Sequence, residues 1–456
     1  MPLKTILWAA FFVVTCLGAL WAPIFGIVGY TGHYCLGADR QWWNVPLRPL
    51  AIRYSLTLAV FTGVGIMLNW GKLRFGRSIL CRQEKLILLF LGIVWLMVAI
   101  GPKTVGHYTL PGIDHPSVKL TKIVIFVLML THVVADIKSL DRLLWVLVLG
   151  SLILGMQAWD TPYNSFVKGR LESVGGPDFR EGNFFAAYMA TMLCLIGAQF
   201  LRSGKVGKVV CFLAGGFTAN AVVLTRSRGA MVGLLAGALA ALMLAPRRYR
   251  AYIAVGLVLG AAGFWWLTNP QFIARAGTIL QPEEERDAAA QSRVVLWRAG
   301  LQIWKDHPLG VGAGNIFQTI GGYVPEQTGR DLHNTYLRCL TELGIQGFLV
   351  FGLLVLNAFV ILRRVVRQAA DLPPPQGQRV VFLCYGMRCA LATMAVCCLL
   401  VSLTYVEYVW WFLALPVCVQ RAVDNMLADL KVDQVEDVGV TEWSSDASPV
   451  GEAVLA

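Results

Sequence analysis

Charge is scarce in this sequence. Only 14% of its 456 residues are Asp, Glu, Lys or Arg, where a soluble globular domain carries about 25%. With 57% hydrophobic residues and a mean hydropathy of +0.62, too little polar material remains to clothe a water-facing surface. The apolar runs are continuous instead of alternating, which argues against a membrane β-barrel. A disulfide framework is missing too. Most of the eleven cysteines lie inside apolar runs (Cys194, Cys211, Cys389, Cys397 and Cys398 among them), and no two are spaced Cys-x-x-Cys. They read as small packing residues. No fixed-period repeat and no second soluble domain stand out. His107, Asp114 and His115 lie near one another, but their spacing suits no standard metal site. Neither a metal nor a cofactor is expected.

What is present is a series of apolar runs of the length a bilayer's hydrocarbon core demands. The fold class is an all-α polytopic membrane protein. Twelve spans are expected, near 6–28, 50–70, 86–101, 118–135, 143–159, 183–201, 208–224, 229–245, 251–267, 335–362, 380–403 and 406–421. The first run is longer than a signal-peptide core and lacks a small-x-small cleavage site, so it reads as one uncleaved span. The net charge of +12 does not point to nucleic acid, because the basic residues sit in short clusters between apolar runs. One set of loops holds Lys72, Arg74, Arg77, Arg82 and Lys85; Lys138 and Arg142; Arg202, Lys205 and Lys208; Arg247, Arg248 and Arg250; and Arg363, Arg364, Arg367 and Arg379. These alternate with loops poorer in Lys and Arg, which places both termini in the cytoplasm. The one long loop, 268–334, then lies on the outer face. The spans make up a transmembrane domain over 1–423. The rest, 424–456, is acidic and poor in apolar residues, the composition of a disordered cytoplasmic tail.

Three stretches on the outer face carry chemistry. "LTRSRGAMVG" places Arg226 and Arg228 at a short outer turn, against the local charge rule. The bland reading is interfacial anchoring. The sharper one is a phosphate clamp, since a guanidinium fork binds phosphate oxygens bidentately. "QSRVVLWRAGLQIWKDHPLGVGAGN" reads as a helix from Ser292 to Lys305, stopped by Pro308. Leu296, Trp297, Gly300, Leu301 and Trp304 fall on one face, giving an interfacial helix with Arg293 inside that face. The close glycines after it open no strand–turn–helix unit, so a dinucleotide site is not indicated. "RDLHNTYLRCLTELGIQG" sets His333 beside Asn334 just before a span, where an imidazole suits a base near neutral pH. Arg338 and Glu342 stand four apart and can pair on a helix. Arg388, within the eleventh span, costs roughly 2.5–3.5 kcal/mol by insertion scales, and needs a partner such as Glu407 or Glu342, or a polar cavity.

Together these stretches resemble the O-antigen ligase and polymerase superfamily. "TRSRGA" at 225–230 is similar to the family's Ser/Thr-Arg-Gly motif opening a span. "SRVVLWRAGLQIWKDHPLGVGAGN" at 292–315 resembles its Arg-x-x-x-Trp helix followed by Pro-Leu-Gly-x-Gly-x-Gly-Asn. "LHNTYLRCLTELGIQG" at 332–347 resembles its His-Asn…Glu-x-Gly-x-x-Gly segment. The likeness covers about 225–350; the N-terminal half matches only in general hydropathy. It implies a GT-C-like, metal-independent, inverting glycosyltransferase of the bacterial inner membrane. Such an enzyme transfers an undecaprenyl-diphosphate-linked glycan to an acceptor hydroxyl at the periplasmic face. Carried over by position, Arg228 and Arg293 match diphosphate-binding arginines and His333 the essential histidine. Arg226, Arg298, Asn334, Arg338 and Glu342 complete the expected substrate-binding set. Partners implied are the lipid-linked donor, a lipid, glycan or protein acceptor, and membrane lipids. A polymerase and a protein O-oligosaccharyltransferase fit the same motifs. A polysaccharide flippase or transporter fits twelve spans but favours charges at the bilayer midplane and paired inverted halves.

Overall fold

The computed structural model describes residues 2–74, 78–101, 112–167, 169–245, 247–268, 273, 277 and 288–445, of which 288–290 and 432–445 are described by backbone alone. Among the described residues the chain is helical throughout, with one isolated bridge between Val167 and Arg170 in place of any strand. Its helices are α1 (Leu3–Trp21), α2 (Ile24–Leu36), α3 (Tyr54–Leu68), α4 (Arg82–Ile100), α5 (Pro116–Val133), α6 (Ile137–Asp160) and α7 (Gly182–Arg202). They continue with α8 (Lys205–Thr225), α9 (Arg228–Leu244), α10 (Arg250–Leu267), α11 (Ala288–Asp306), α12 (Thr335–Gln368), α13 (Pro374–Cys398) and α14 (Glu407–Ser445).

The first expected span is a hairpin instead. Pro23 has no N–H to donate and its ring crowds the preceding turn, so Ala22 turns extended and α2 starts afresh at Ile24. α2 folds back along α1, and α3 packs on both. The Thr5 hydroxyl donates to the carbonyl of Trp43, while at the other end Asn69 Nδ2 donates to Leu20 O at 2.9 Å. The start of α1 therefore lies at the same end of the bundle as the segment after α2. That corrects the expectation that both termini share one side.

Long-range bonds sort the remaining connections by end. Tyr34, Lys119 and the backbone N–H of Glu407 all meet Asp178, which joins the ends of α2, α5 and α14 to the segment after α6. At the opposite end Arg421 donates to Ile79 O and Thr131 O, Asn425 to Ala135 O, and Gln378 to the Tyr249 hydroxyl. The basic loops singled out from sequence gather at this second end. The segment 161–181, the turn at 226–227 and the stretch before α12 gather at the first.

α14 is central. Its first four turns are buried on all sides, with Trp410 and Trp411 packed among Tyr30, Tyr34, Phe90 and Phe126. It also runs past Asp424, where the sequence predicts disorder, to Ser445. Met426, Leu427 and Leu430 pack against the core, and Asp429 pairs with Arg74 at 2.7 Å. An apolar face and an ion partner tie the helix to the bundle as far as Leu430. Residues 446–456 lie outside the described residues.

Nine described helices are long and apolar enough to cross a bilayer, or ten if Trp42–Leu50 and α3, bent by 64°, make one broken span. α9 has 17 residues and falls just short. It lies close on α13 because Gly233 and Gly237 have no side chain. A Cβ there would sit 2.3 Å from Cys397 Sγ and 2.2 Å from Thr393 Oγ1.

α12 is broken where it nears the site. Gly344 has φ 69° and ψ −172°, which interrupts a 34-residue helix. The freed backbone groups are taken up by the glycine-rich stretch after α11. Val311 N donates to Thr341 O and Gly312 N to Glu342 O, both at 2.9 Å, and Ile345 N donates to Pro308 O at 3.3 Å. Gly310 (φ 101°) meets the break backbone to backbone, since a Cβ on it would lie 2.6 Å from Gly344 N. The closely spaced glycines are thus a docking strip for a broken helix. Gly344→Ala places a side chain where φ is positive and Leu309 backbone is already in contact. A loss of about 1–3 kcal/mol is expected, read as a lower unfolding midpoint in detergent.

Candidate active site

The turn between α8 and α9 is the foundation of the site. Arg226 caps α8 in the left-handed conformation (φ 50°), and its N–H donates to Val223 O at 3.0 Å. A non-glycine residue holds that conformation only when its surroundings over-determine it. Here the segment after α6 does so. Leu171 N donates to Leu224 O at 3.1 Å and Arg170 Nε to Thr225 O at 3.0 Å, satisfying carbonyls that end a helix. Arg226 Nη2 donates to the Tyr163 hydroxyl at 2.7 Å.

The second wall comes from α11. Its buried face is Leu296, Ala299, Gly300 and Ile303, which form a small core with Val311, Ile316, Ile320, Leu332 and Leu337. That face is rotated by roughly 80° at 100° per residue from the one expected for a helix lying on a membrane, and Leu301 is exposed. The helix packs on protein, on α12 and the loop, and so turns Arg293 to the edge of its buried face. Trp297 Nε1 donates to Leu332 O at 2.8 Å, and Ser292 Oγ to Gln327 Oε1 at 3.0 Å.

The third wall is the approach to α12. His333 also stands at φ 50°. Asn334 follows as N-cap, its side chain accepting from Leu337 N at 3.0 Å and its own N–H donating to Ser402 Oγ at 3.1 Å. Thr335 Oγ1 donates to Val401 O at 2.7 Å and accepts from Leu403 N at 2.8 Å. His333 Nδ1 is buried with no hydrogen-bond partner among the described residues.

These walls enclose one cavity of about 360 Å³. Arg226 and Arg228 line it from the α8–α9 turn, Ser292, Arg293 and Leu296 from α11, and Arg330 and His333 from the approach to α12. Arg170, Glu172, Glu181 and Asn183 complete it. Five arginines against two carboxylates give the lining an excess of positive formal charge. Burial pushes the Arg170 guanidinium below its ordinary range; Glu172 and Glu181 oppose that push, while Arg228 and Arg226 add to it.

Residues 209–352 match the family model described as O-antigen ligase. The match supports membership of the O-antigen ligase and polymerase superfamily. The matched family supports a ligase- or polymerase-type role in polysaccharide biosynthesis and implies a glycosyltransferase-like activity, lipid-linked glycan substrates and a multi-pass membrane setting. No curated protein matches the chain. The matched stretch contains Arg226, Arg228, Arg293, Arg330 and His333; Arg170, Glu172, Glu181 and Asn183 precede it.

Of the residues singled out from sequence in this O-antigen ligase relative, Arg226, Arg228, Arg293 and His333 are brought together. Arg298, Arg338 and Glu342 are not on the cavity wall. Arg298 is exposed on the outer side of α11. Arg338 Nε donates to Glu342 Oε1 at 3.1 Å, and its guanidinium lies 5.0 and 5.1 Å from the rings of Phe317 and Tyr405. The Tyr405 hydroxyl donates to Glu342 Oε2 at 2.8 Å, and Asp331 stands 3.6 Å from Arg338. A carboxylate four residues along the helix and a second one beside it satisfy this arginine within the protein. Asp331, Arg338 and Glu342 thus pair with one another across the stretch that holds His333. Asn334 likewise caps a helix.

Arg388 meets neither expected carboxylate: its Nε donates to Cys384 O at 3.4 Å, while Glu342 is taken by Arg338 and Tyr405. His115 caps α5 by accepting from Ser117 N, and His107 lies outside the described residues. Sequence reasoning missed the 170–183 wall. The signal was there in "KGRLESVGGPDFREGN", six charged residues in sixteen positions between two apolar runs.

Proposed function

We propose that this cavity transfers a glycan from an undecaprenyl-diphosphate-linked donor to an acceptor hydroxyl, at the periplasmic face of the bacterial inner membrane. The observation that carries the reading is convergence. Arg226, Arg228, Arg293 and His333 come from three separated stretches and line one cavity. Arg228 and Arg293 bind the diphosphate and neutralise charge as it develops on the leaving group, the electrostatic contribution that often dominates catalysis. His333 takes the proton of the acceptor hydroxyl. The hydroxyl oxygen bonds to the anomeric carbon from the face opposite the diphosphate, whose bond to that carbon breaks. Undecaprenyl diphosphate leaves and the anomeric configuration inverts.

The test gives purified protein an undecaprenyl-diphosphate glycan with candidate acceptors and identifies the product by mass. A glycan joined to a second lipid or a protein, with undecaprenyl diphosphate released, is the expected result. Growth of the lipid-linked glycan itself identifies the polymerase of the same superfamily, which uses the same donor-side residues. Unchanged donor with every acceptor overturns the reading.

Two further outcomes follow from it. Because the arginines supply the positive charge at the leaving group, the reaction is expected to run undiminished in chelator. Activity lost there and restored by magnesium or manganese contradicts the scheme. Orientation is read by cysteines introduced into a variant without the eleven native ones. An impermeant thiol reagent outside intact cells is expected to label positions 3 and 327 but not 248 or 374. Labelling of 248 and 374 in place of 327 puts the cavity on the cytoplasmic side.

A further inference from the structure

A second cavity lies at the other end of the bundle, among the basic loops, and the glycan-transfer scheme makes no use of it. It encloses about 240 Å³, walled by Asp141 and Trp145 of α6, Gln199 and Arg202 of α7, Ser203 just beyond, and Arg379 of α13. Arg202 is fixed in place. Its Nη2 donates to Asp141 Oδ1 at 2.7 Å and its Nη1 to Gln199 Oε1 at 2.9 Å, and its side chain is 5% exposed. Its Nε is a buried donor without a hydrogen-bond partner among the described residues, and such a group is costly to leave unmet. Asp141 cancels the charge of Arg202 alone. Arg379 is exposed and belongs to none of the ion pairs among the described residues, so the lining keeps a net positive charge.

The cavity also opens toward an apolar surface. Gly204 and Gly207 complete its lining, and a Cβ on Gly204 would meet nothing within 4 Å. From there α8 runs along the bundle with Val206, Val209 and Leu213 exposed. At 100° per residue these three fall within about 60° of one another. A polar, arginine-walled cavity beside an apolar strip has the outline of an amphiphile.

We infer that this cavity binds the headgroup of an anionic glycerophospholipid, with the phosphodiester against Arg379 and Arg202 and the acyl chains along the exposed strip of α8. Guanidinium forks suit phosphate oxygens, and basic pockets between membrane helices are where lipid phosphates are held. A glycerol headgroup also brings hydroxyls. Asp141 and Ser203 offer them acceptors, since the Ser203 hydroxyl already donates to Gln199 O at 2.7 Å. A free phosphate would meet the same arginines but lay nothing on α8. An ethanolamine headgroup would carry an ammonium into a lining that is already positive. The volume is below the roughly 300–1,000 Å³ of pockets that enclose a whole small ligand, which fits a headgroup whose tails stay outside. A lipid held there joins α6, α7 and α13, and binding to the folded state alone raises stability.

The experiment delipidates the purified full-length protein in detergent and offers it phosphatidylglycerol, phosphatidylethanolamine or inorganic phosphate at equal concentration. Native mass spectrometry counts retained lipid, and the unfolding midpoint is measured alongside. Phosphatidylglycerol is expected to be retained and to raise the midpoint; the other two should do so far less. Arg379→Ala changes an exposed side chain, so it should fold as the native protein does and weaken phosphatidylglycerol binding about tenfold, the effect of losing one charge-assisted contact. Arg363→Ala, an exposed arginine at the same end of the bundle but outside the cavity, should bind as the native protein does. Native binding in Arg379→Ala, or an equal loss in Arg363→Ala, overturns the inference, the latter leaving only diffuse attraction to a basic surface. Equal retention of phosphatidylethanolamine removes the selectivity for an anionic lipid. A midpoint raised as far by inorganic phosphate as by phosphatidylglycerol makes this a site for a soluble anion and overturns the lipid assignment.

Discussion

Arg293→Ala is expected to lower transfer by about 10²–10³-fold, the effect of removing one preorganised donor from a developing anion. Arg293→Lys should recover only part of that loss. Lysine restores the charge but not the planar fork that meets two phosphate oxygens at once. Arg293 is delivered to the cavity by α11, whose buried face of Leu296, Ala299 and Ile303 leaves it at the edge. Replacing it removes no part of that small core, so the variant should reach the membrane at native levels. Arg228→Ala is expected to behave in the same way from the opposite wall. Arg298, five residues further along α11 and exposed, gives the contrast: its alanine variant should transfer at close to the native rate. Activity measured on equal amounts of membrane-inserted protein decides the matter. Full activity in both Arg228→Ala and Arg293→Ala removes the phosphate clamp.

His333 is expected to show the second large effect, a loss of roughly 10²–10⁴-fold in His333→Ala. Its backbone is held in the left-handed region by bonds on both sides, from Trp297 to Leu332 O and from Asn334 N–H to Ser402. Substitution there can therefore act through conformation as well as through chemistry. Asparagine separates the two, because it tolerates the left-handed conformation yet supplies no base. His333→Asn should fold as the native protein does, bind undecaprenyl diphosphate undiminished and transfer as poorly as His333→Ala. A His333→Asn protein that transfers glycan at the native rate takes His333 out of the chemistry.

Much of this was legible in the sequence because the bilayer imposes strong rules. The alternation of basic loops recovers which connections share an end of the bundle. The out-of-place charges at Arg226, Arg228, Arg293 and His333 mark the cavity that they line together. The rest was hidden for physical reasons. A hydropathy average runs straight through Ala22 and Pro23, although one missing N–H there turns a span into a hairpin. The face of α11 was misjudged because its tryptophans suit a lipid interface, whereas the helix packs on protein through smaller residues. Arg338 and Glu342 looked like substrate ligands by their neighbours in sequence, yet their spacing already offered them each other. Arg170, Asn183 and Glu181 follow no local pattern. Arg170 and Asn183 reach a turn more than forty residues further along the chain, and Glu181 accepts from Asn183.

In this mechanism the donor's diphosphate sits among the arginines at the start of α9. A structure determined with undecaprenyl diphosphate bound tests it most directly. The diphosphate is expected within hydrogen-bonding distance of the Arg228 and Arg293 guanidinium groups, with His333 on the side from which an acceptor approaches. A diphosphate found instead at the opposite end of the bundle, beside Arg202 and Arg379, with the Arg228–Arg293 cavity empty, contradicts it.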